Sequence, residues 1–334
     1  TGKYSQDYSQ GYGFHFFNMA TGQWDEAIAH QLGLPLDLMA PIMHCHDVVG
    51  TITEAVALAT GLAVGTPVVA GGLDAACCTL GAGVIYEGQT QEQGGQAGGM
   101  SIAMKQPLIH PKLILSYHVV PNMWLLQGGS TGGGGTLNWL SRELGHAEKN
   151  QAKDQGRNVF EVMSEEAETI APGSEGVLFL PYMKGERSPL WNSKAKGVYY
   201  GLSYDKTRAH MIRSTMEGVG YSLLHNIETA QEVGAVVGKL LSVGGSANSH
   251  VWTQLKADIT GRDIEVPYSD HSTTLGAAIL AGIGVGIYKD FEDAVQKTVQ
   301  IQRIHKPNPE RKAAYLEGYQ NYLKLSNLLV DAFW

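Results

Sequence analysis

Apolar residues recur along this chain in two periods: short consecutive runs, and longer stretches spaced by three and four. That mixture predicts strands alternating with helices, an α/β fold. Val68-Val69-Ala70, Trp124-Leu125-Leu126 and Leu240-Leu241-Ser242-Val243 read as buried strands, and residues 13–19 as a further strand. From Asp205 as N-cap, Ile212, Met216, Val219, Leu223 and Ile227 follow at helical spacing, a helix with one buried stripe. Shorter helices are predicted from Asp25 to Leu32 and from Thr53 to Thr60, the latter stopped by Gly61. Leu240–Val243, the Gly244-Gly245 turn, a helix carrying Trp252, Leu255 and Ile259, and Ile264-Glu265-Val266 make a β-loop-α-β unit. Pro309 to Trp334 reads as one long helix with Tyr315, Tyr319, Tyr322 and Leu325 at helical intervals. Leu275 to Tyr288 is apolar and glycine-rich, but at about fourteen residues it falls short of the ~20 a membrane span needs, so a buried, closely packed helix is expected. Residues 146–170 are polar and read as an exposed connecting helix or loop, and Gly88 with the polar residues after it as a domain junction.

Length and charge narrow the functional classes. A chain of 334 residues accommodates two domains, and a net charge of −8 without a basic block argues against a nucleic-acid or anionic-membrane partner. Small-molecule chemistry becomes the expectation. Three cysteines, Cys45, Cys77 and Cys78, in no paired spacing, with no secretory leader, predict a reducing compartment and a cytoplasmic protein. The chain opens at Thr1-Gly2-Lys3 without an initiator methionine, so roughly 150 or more residues are expected upstream, the order of a typical domain.

The chemistry concentrates at glycines that follow strands. Asp74, in Val68-Val69-Ala70-Gly71-Gly72-Leu73-Asp74, is a carboxylate delivered from a strand end and the leading candidate for a catalytic base. Gly128 to Gly135 and Gly244-Gly245 each follow a strand and open a helix-like stretch, and such loops let backbone N–H groups approach a phosphate. Gly238-Lys239 is followed by Leu240, so there is no P-loop, and there is no G-x-G-x-x-G fingerprint either. A nucleotide would have to bind between separated glycine turns.

Gly71-Gly72-Leu73-Asp74 with Gly81-Ala82-Gly83 resembles the catalytic-aspartate segment of the FGGY carbohydrate kinases. Gly197-Val198-Tyr199-Tyr200-Gly201-Leu202, seven residues, then His210 to Glu217 is similar to that family's C-terminal signature. The loop from Gly185 to Pro189 resembles the pentulose and gluconate kinases of the family. The resemblance implies an actin-like ATPase fold built on ribonuclease-H-like domains, with the end of the first domain in residues 1–90 and a complete second domain in 91–334. It implies ATP and Mg2+, a sugar or sugar-acid substrate, and Asp74 as the base that takes the proton of the attacking hydroxyl. A carboxylate is a weak base for an alcohol, so it acts late, as the hydroxyl acidifies during transfer. The resemblance further implies nucleotide contacts at Gly95, Gln96, Gly98, Gly134, Asn138, Gly244, Gly245 and Ser249. Gln96 stands where the family commonly has threonine, and the family's first phosphate loop is absent. Those departures keep open a nucleotide-binding sensor or pseudokinase, and more remotely an actin-like module without ligand. A homodimer is left open.

Other residues invite functional readings of less weight. His44-Cys45-His46 lacks a second ligand pair, so no metal site is expected. Cys77 and Cys78 have no neighbouring base and read as packing residues, while His118 reads equally as a cleft or a strand histidine. Trp191 and Trp252 read as core or interface residues.

Overall fold

A computed structural model of the chain describes residues 1–269 and 271–333, so the end of the expected C-terminal helix at Trp334 lies outside the described residues. Its centre is a seven-stranded sheet in the spatial order Ile301–His305, Ile264–Pro267, Leu240–Val243, Thr90–Gly94, Gly98–Met104, Trp124–Ser130, Ile114–Tyr117. Thr90–Gly94 begins an antiparallel meander through Gly98–Met104, Trp124–Ser130 and Ile114–Tyr117. On its other side it pairs in parallel with Leu240–Val243, which pairs in parallel with Ile264–Pro267. The polar stretch after Gly88 is thus the middle strand of the sheet. Hydropathy hides it because Thr90, Gln91 and Glu92 are buried polar residues.

Side chains alternate across this sheet as the strand period requires. Ala103, Leu125, Leu241 and Val243 face one cluster, which also holds the helices Asp74–Gly81 and Ser272–Gly284. Met100, Ile102, Met104, Leu126, Leu240 and Ile264 face another, closed by Leu223 and Ile227 of the helix Arg208–Gln231 and Ala257 of the helix His250–Thr260.

The stripe expected on Arg208–Gln231 is buried, and so is most of the rest of that helix. Its cap is Thr207, whose N–H donates to His210 Nδ1 at 3.1 Å. Asp205 is instead engaged by Ser203 and by Lys206, whose ammonium lies 3.0 Å from its carboxylate. Buried Arg213 donates to Glu217 at 2.8 Å, to the Ala167 carbonyl at 3.0 Å and to Tyr315 at 2.7 Å, while Ser174 donates to Glu217 at 2.7 Å. The charged residues of the signature-like segment therefore pin three helices together.

Elsewhere the predicted elements are shifted. Residues 13–19 hold only a two-residue strand, Phe17–Asn18, paired with Gln23–Trp24. Pro67–Val69 pairs with Val48–Thr51 and is only partly buried. Residues 146–170 form two helices, His146–Gln155 and Val159–Glu168, and the second buries Val162, Met163 and Ala167. The expected helices appear at Glu26–Gln31, Glu54–Thr60 and Lys312–Phe333. Among the described residues no helix is long and apolar enough to cross a membrane.

The helix that begins at Asp74 is braced by backbone contact. A Cβ on Gly81 would lie 1.8 Å from the Ser272 carbonyl oxygen, and one on Gly276 would lie 1.9 Å from that of Cys77. Ser272–Gly284 accordingly buries one face and exposes the other. Gly276→Ala is expected to destabilise the protein by about 1–3 kcal/mol, the usual cost of overpacking a closed contact. An unchanged midpoint in chemical denaturation would show that the two helices can move apart freely.

Candidate active site

Three glycine turns meet at the ends of the central strands. The hairpin Gly94 to Gly98 closes the first two strands of the meander, Gly133 caps the helix Gly134–Leu144, and Gly244-Gly245-Ser246 follows Leu240–Val243. Together they border a cavity of about 750 Å3. Of the residues expected to contact a nucleotide, Gly95, Gln96, Gly134, Asn138, Gly245 and Ser249 line it. Gly98 and Gly244 do not line it. A Cβ on Gly98 would sit 3.0 Å from the Gly132 carbonyl, and one on Gly244, at φ +88°, would sit 3.1 Å from the Gly94 backbone.

The turns are tied to one another. Gly134 N–H donates to the Gly95 carbonyl at 2.7 Å and Gly135 N–H to that of Gln96 at 3.1 Å, so this helix start is already satisfied. The Gln96 amide lies over Gly135, where a Cβ would come within 2.3 Å of Nε2. Among the described residues the N–H groups of Gly245 and Ser246 donate to no acceptor, which leaves this turn able to receive an anion. A Cβ on Gly245 would meet nothing within 4 Å.

The far wall escaped sequence reading. Arg157, Phe160, Glu161, Ser164, Glu165 and Val251 line the cavity. Arg157 donates to Glu165 at 3.0 Å, and Ser164 Oγ lies 3.0 Å from Ser249 Oγ, across to the cap of the helix His250–Thr260. The missed signal was the apolar spacing Val159, Val162, Met163, Ala167 inside a segment that looks polar by composition.

Asp74 does not line this cavity. It is the first residue of the helix Asp74–Gly81, exposed, with one carboxylate oxygen accepting from the Ala75 N–H at 2.6 Å. Ser9 Oγ accepts from the Leu73 N–H at 2.8 Å and fixes the turn before it.

Glu186 forms a second carboxylate centre. It is buried, accepts from Thr131 N–H at 2.9 Å and Arg187 N–H at 2.7 Å through one oxygen, and from Ser130 Oγ at 2.8 Å through the other. Burial pushes its carboxyl up to about 7 despite those donors.

His118 is buried with Nε2 2.9 Å from the Val84 carbonyl, and burial lowers its imidazole to about 4. Burial raises Cys45 and Cys77 to about 12, so these thiols stay protonated. Trp252 is buried with its indole N–H on the Met216 carbonyl at 3.1 Å and also borders the cavity. Half-exposed Trp191 donates to the Lys112 carbonyl at 2.8 Å. The rings of His44 and His46 stack at 5.8 Å, and no three His, Cys, Asp or Glu side chains gather as a metal cluster among the described residues.

Residues 99–285 match the C-terminal domain of the FGGY family of carbohydrate kinases, and residues 1–81 match the N-terminal domain. The chain is 30% identical over 333 residues to gluconokinase of Bacillus licheniformis, an alignment covering 99% of this chain and 65% of that protein. It is 30% identical over 318 residues to xylulose kinase of Staphylococcus epidermidis, covering 95% and 62%. The ligand-bound crystal structure of xylulose kinase from Lactobacillus acidophilus superposes on all of this chain and 66% of its own, with TM-score 0.89 and 25% identity. The chain thus spans less than two thirds of the length of the two sequence relatives. Its α/β fold is the actin-like ATPase fold of these kinases.

Glu186 predicts a pH dependence. Its folded-state value lies above the ordinary carboxyl value of 4.5, so the folded state is favoured when the group is protonated, and its contribution is lost as pH rises from about 4.5 through about 7. The loss is on the order of 3 kcal/mol. Glu186→Gln keeps one acceptor oxygen and removes the titration, so its melting temperature should gain on the wild type between pH 5 and 8. A difference that stays flat across that range would refute the assignment.

Proposed function

The chain belongs to the FGGY family of carbohydrate kinases, and on that premise we propose that the protein transfers the γ-phosphoryl group of ATP to a hydroxyl of a ketose, polyol or sugar acid. The observation that carries this reading is the single cavity bordered by all three glycine turns. Its volume and its lining suit a nucleotide: Leu137, Phe160 and Val251 offer apolar surface for a base, and the open N–H groups of Gly245 and Ser246 suit a phosphate chain. Mg2+ would enter as the ion carried on ATP oxygens, supplying charge neutralisation during transfer.

In this reading residues 1–90 close the sugar-binding domain and residues 91–334 form the nucleotide-binding domain. Gly95, Gln96, Gly134, Asn138, Gly245 and Ser249 contact the nucleotide, with Gly98 and Gly244 shaping the turns. Asp74 takes the proton of the attacking hydroxyl. Its place at the first turn of a helix leaves one oxygen without a hydrogen bond among the described residues, available to a substrate. The exposed Gln96 amide can still donate toward a phosphate. Its departure from the family threonine favours a second reading, a sensor that binds ATP and does not transfer.

An ADP-release screen over pentuloses, hexuloses, polyols and aldonates, run on the complete polypeptide, tests the proposal. ATP binding without sugar-dependent ADP release would favour the sensor. With an active sugar in hand, Asp74→Asn should lower turnover on the order of 10²–10⁴-fold with ATP affinity unchanged. Turnover within a few-fold of the parent would remove Asp74 from the mechanism. Gly245→Val places its side chain in open space and so fills the cavity without disturbing the fold. ATP affinity should fall roughly tenfold or more, the equivalent of about 1.4 kcal/mol. Unchanged affinity in titration calorimetry would make this turn an ordinary loop.

A further inference from the structure

Directly behind the Gly244-Gly245-Ser246 turn lies a charge that the roles above do not use. Lys256, on the helix His250–Thr260, is fully buried. Its ammonium donates to both carboxylate oxygens of Glu92 at 2.8 Å and to Ser246 Oγ at 3.0 Å. An ammonium has three N–H donors, and here all three are used. Glu92, on the middle strand, also accepts from Ser242 Oγ of the neighbouring strand. The two strands that end in glycine turns are therefore clamped to one another from below. The fit is close: a Cβ on Gly94 would collide with Ser246 Oγ.

The direction of these bonds has a chemical consequence. Ser246 lines the cavity, and its Oγ accepts from Lys256, so its own hydrogen is left to donate elsewhere. A serine hydroxyl without a committed acceptor can rotate between donor and acceptor roles. One that must accept from a buried ammonium is left with its hydrogen to offer, and so acts as a donor. The positive end of the ion pair also touches the turn, while the carboxylate is turned toward the sheet and Ser242. Both effects favour an anion over the Gly245 and Ser246 N–H groups.

We propose that Lys256 is a positioning residue for phosphate recognition: anchored on Glu92, its ammonium fixes the Ser246 hydroxyl as a donor into the cavity and holds the Gly245–Ser246 turn in place for a phosphate chain. This rests on the nucleotide reading of the cavity and assigns its phosphate end to Gly245–Ser246. The chemistry acts on phosphate groups, so it separates nucleotides from nucleosides.

Affinities for ADP and adenosine, measured by titration calorimetry on the wild-type chain and its variants, test this. Lys256→Met alone leaves Glu92 buried and unpaired, which commonly destabilises a protein. The double variant Lys256→Met with Glu92→Met removes both charges, a replacement that is often neutral for folding. Ser246→Ala leaves the ion pair whole and removes only its link to the cavity. In whichever of the last two variants folds, ADP affinity should fall roughly tenfold, about 1.4 kcal/mol, while adenosine affinity stays within about twofold. Equal changes for ADP and adenosine, or none for either, would overturn the positioning role. A wild-type chain that binds neither ligand would instead overturn the nucleotide reading beneath it.

Discussion

A buried carboxylate on the middle strand of the sheet has to be neutralised where it lies, and Glu92 imposes that requirement on everything around it. An unpaired charge at such depth costs several kcal/mol, so a cation must reach the same spot from a neighbouring element. Lys256 meets this demand from the helix His250–Thr260, and Ser242 from the adjacent strand. The parallel pairing of Thr90–Gly94 with Leu240–Val243 and the seating of that helix are thereby coupled. An all-apolar interior would tolerate small shifts of one layer over another. A three-way bonded charge pair does not, so the strand ends that carry the glycine turns share one register.

Above that register the backbone does the close work. Gly134 lies against the Gly95 carbonyl and Gly244 against the Gly94 main chain, where a Cβ would fall at 2.9 and 3.1 Å. The helix Gly134–Leu144 has lent its first N–H groups to the carbonyls of Gly95 and Gln96, so two of the three turns behave as one body. Anion-accepting capacity then resides mainly in the third. A glycine-rich sequence alone could not have distinguished these roles, because the same residue type serves both as joint and as opening.

What could be read from the sequence follows from where the polar atoms go. Leu240–Val243 and the stripe on Arg208–Gln231 were legible because apolar burial leaves a periodic trace. Thr90–Gly94 was not, since its burial is achieved by ion pairing with residues far along the chain. Thr207 displaced Asp205 as the helix cap because Ser203 and Lys206 already occupy the aspartate. Two of the glycine turns were legible from their strand-to-helix context and the Gly94–Gly98 hairpin only from the family resemblance, and six of the residues carried over by resemblance line one cavity. Phe160, and Arg157 just before its helix, were overlooked because this segment looks polar by composition although it borders the cavity. Asp74 was conspicuous through its glycine turn, yet nothing in the sequence indicated that its helix leans on residues near the other end of the chain.

That crossing, where Gly81 meets Ser272 and Gly276 meets Cys77, constrains how the protein can change over generations. With no side chains between the helices, neither glycine can acquire even a methyl group unless the other helix retreats, and a retreat would carry Asp74 with it. Single steps away from glycine carry a stability cost at both places. Paired changes are therefore favoured in lineages that alter this joint, and the orientation of Asp74 is inherited with two small residues that never touch a substrate.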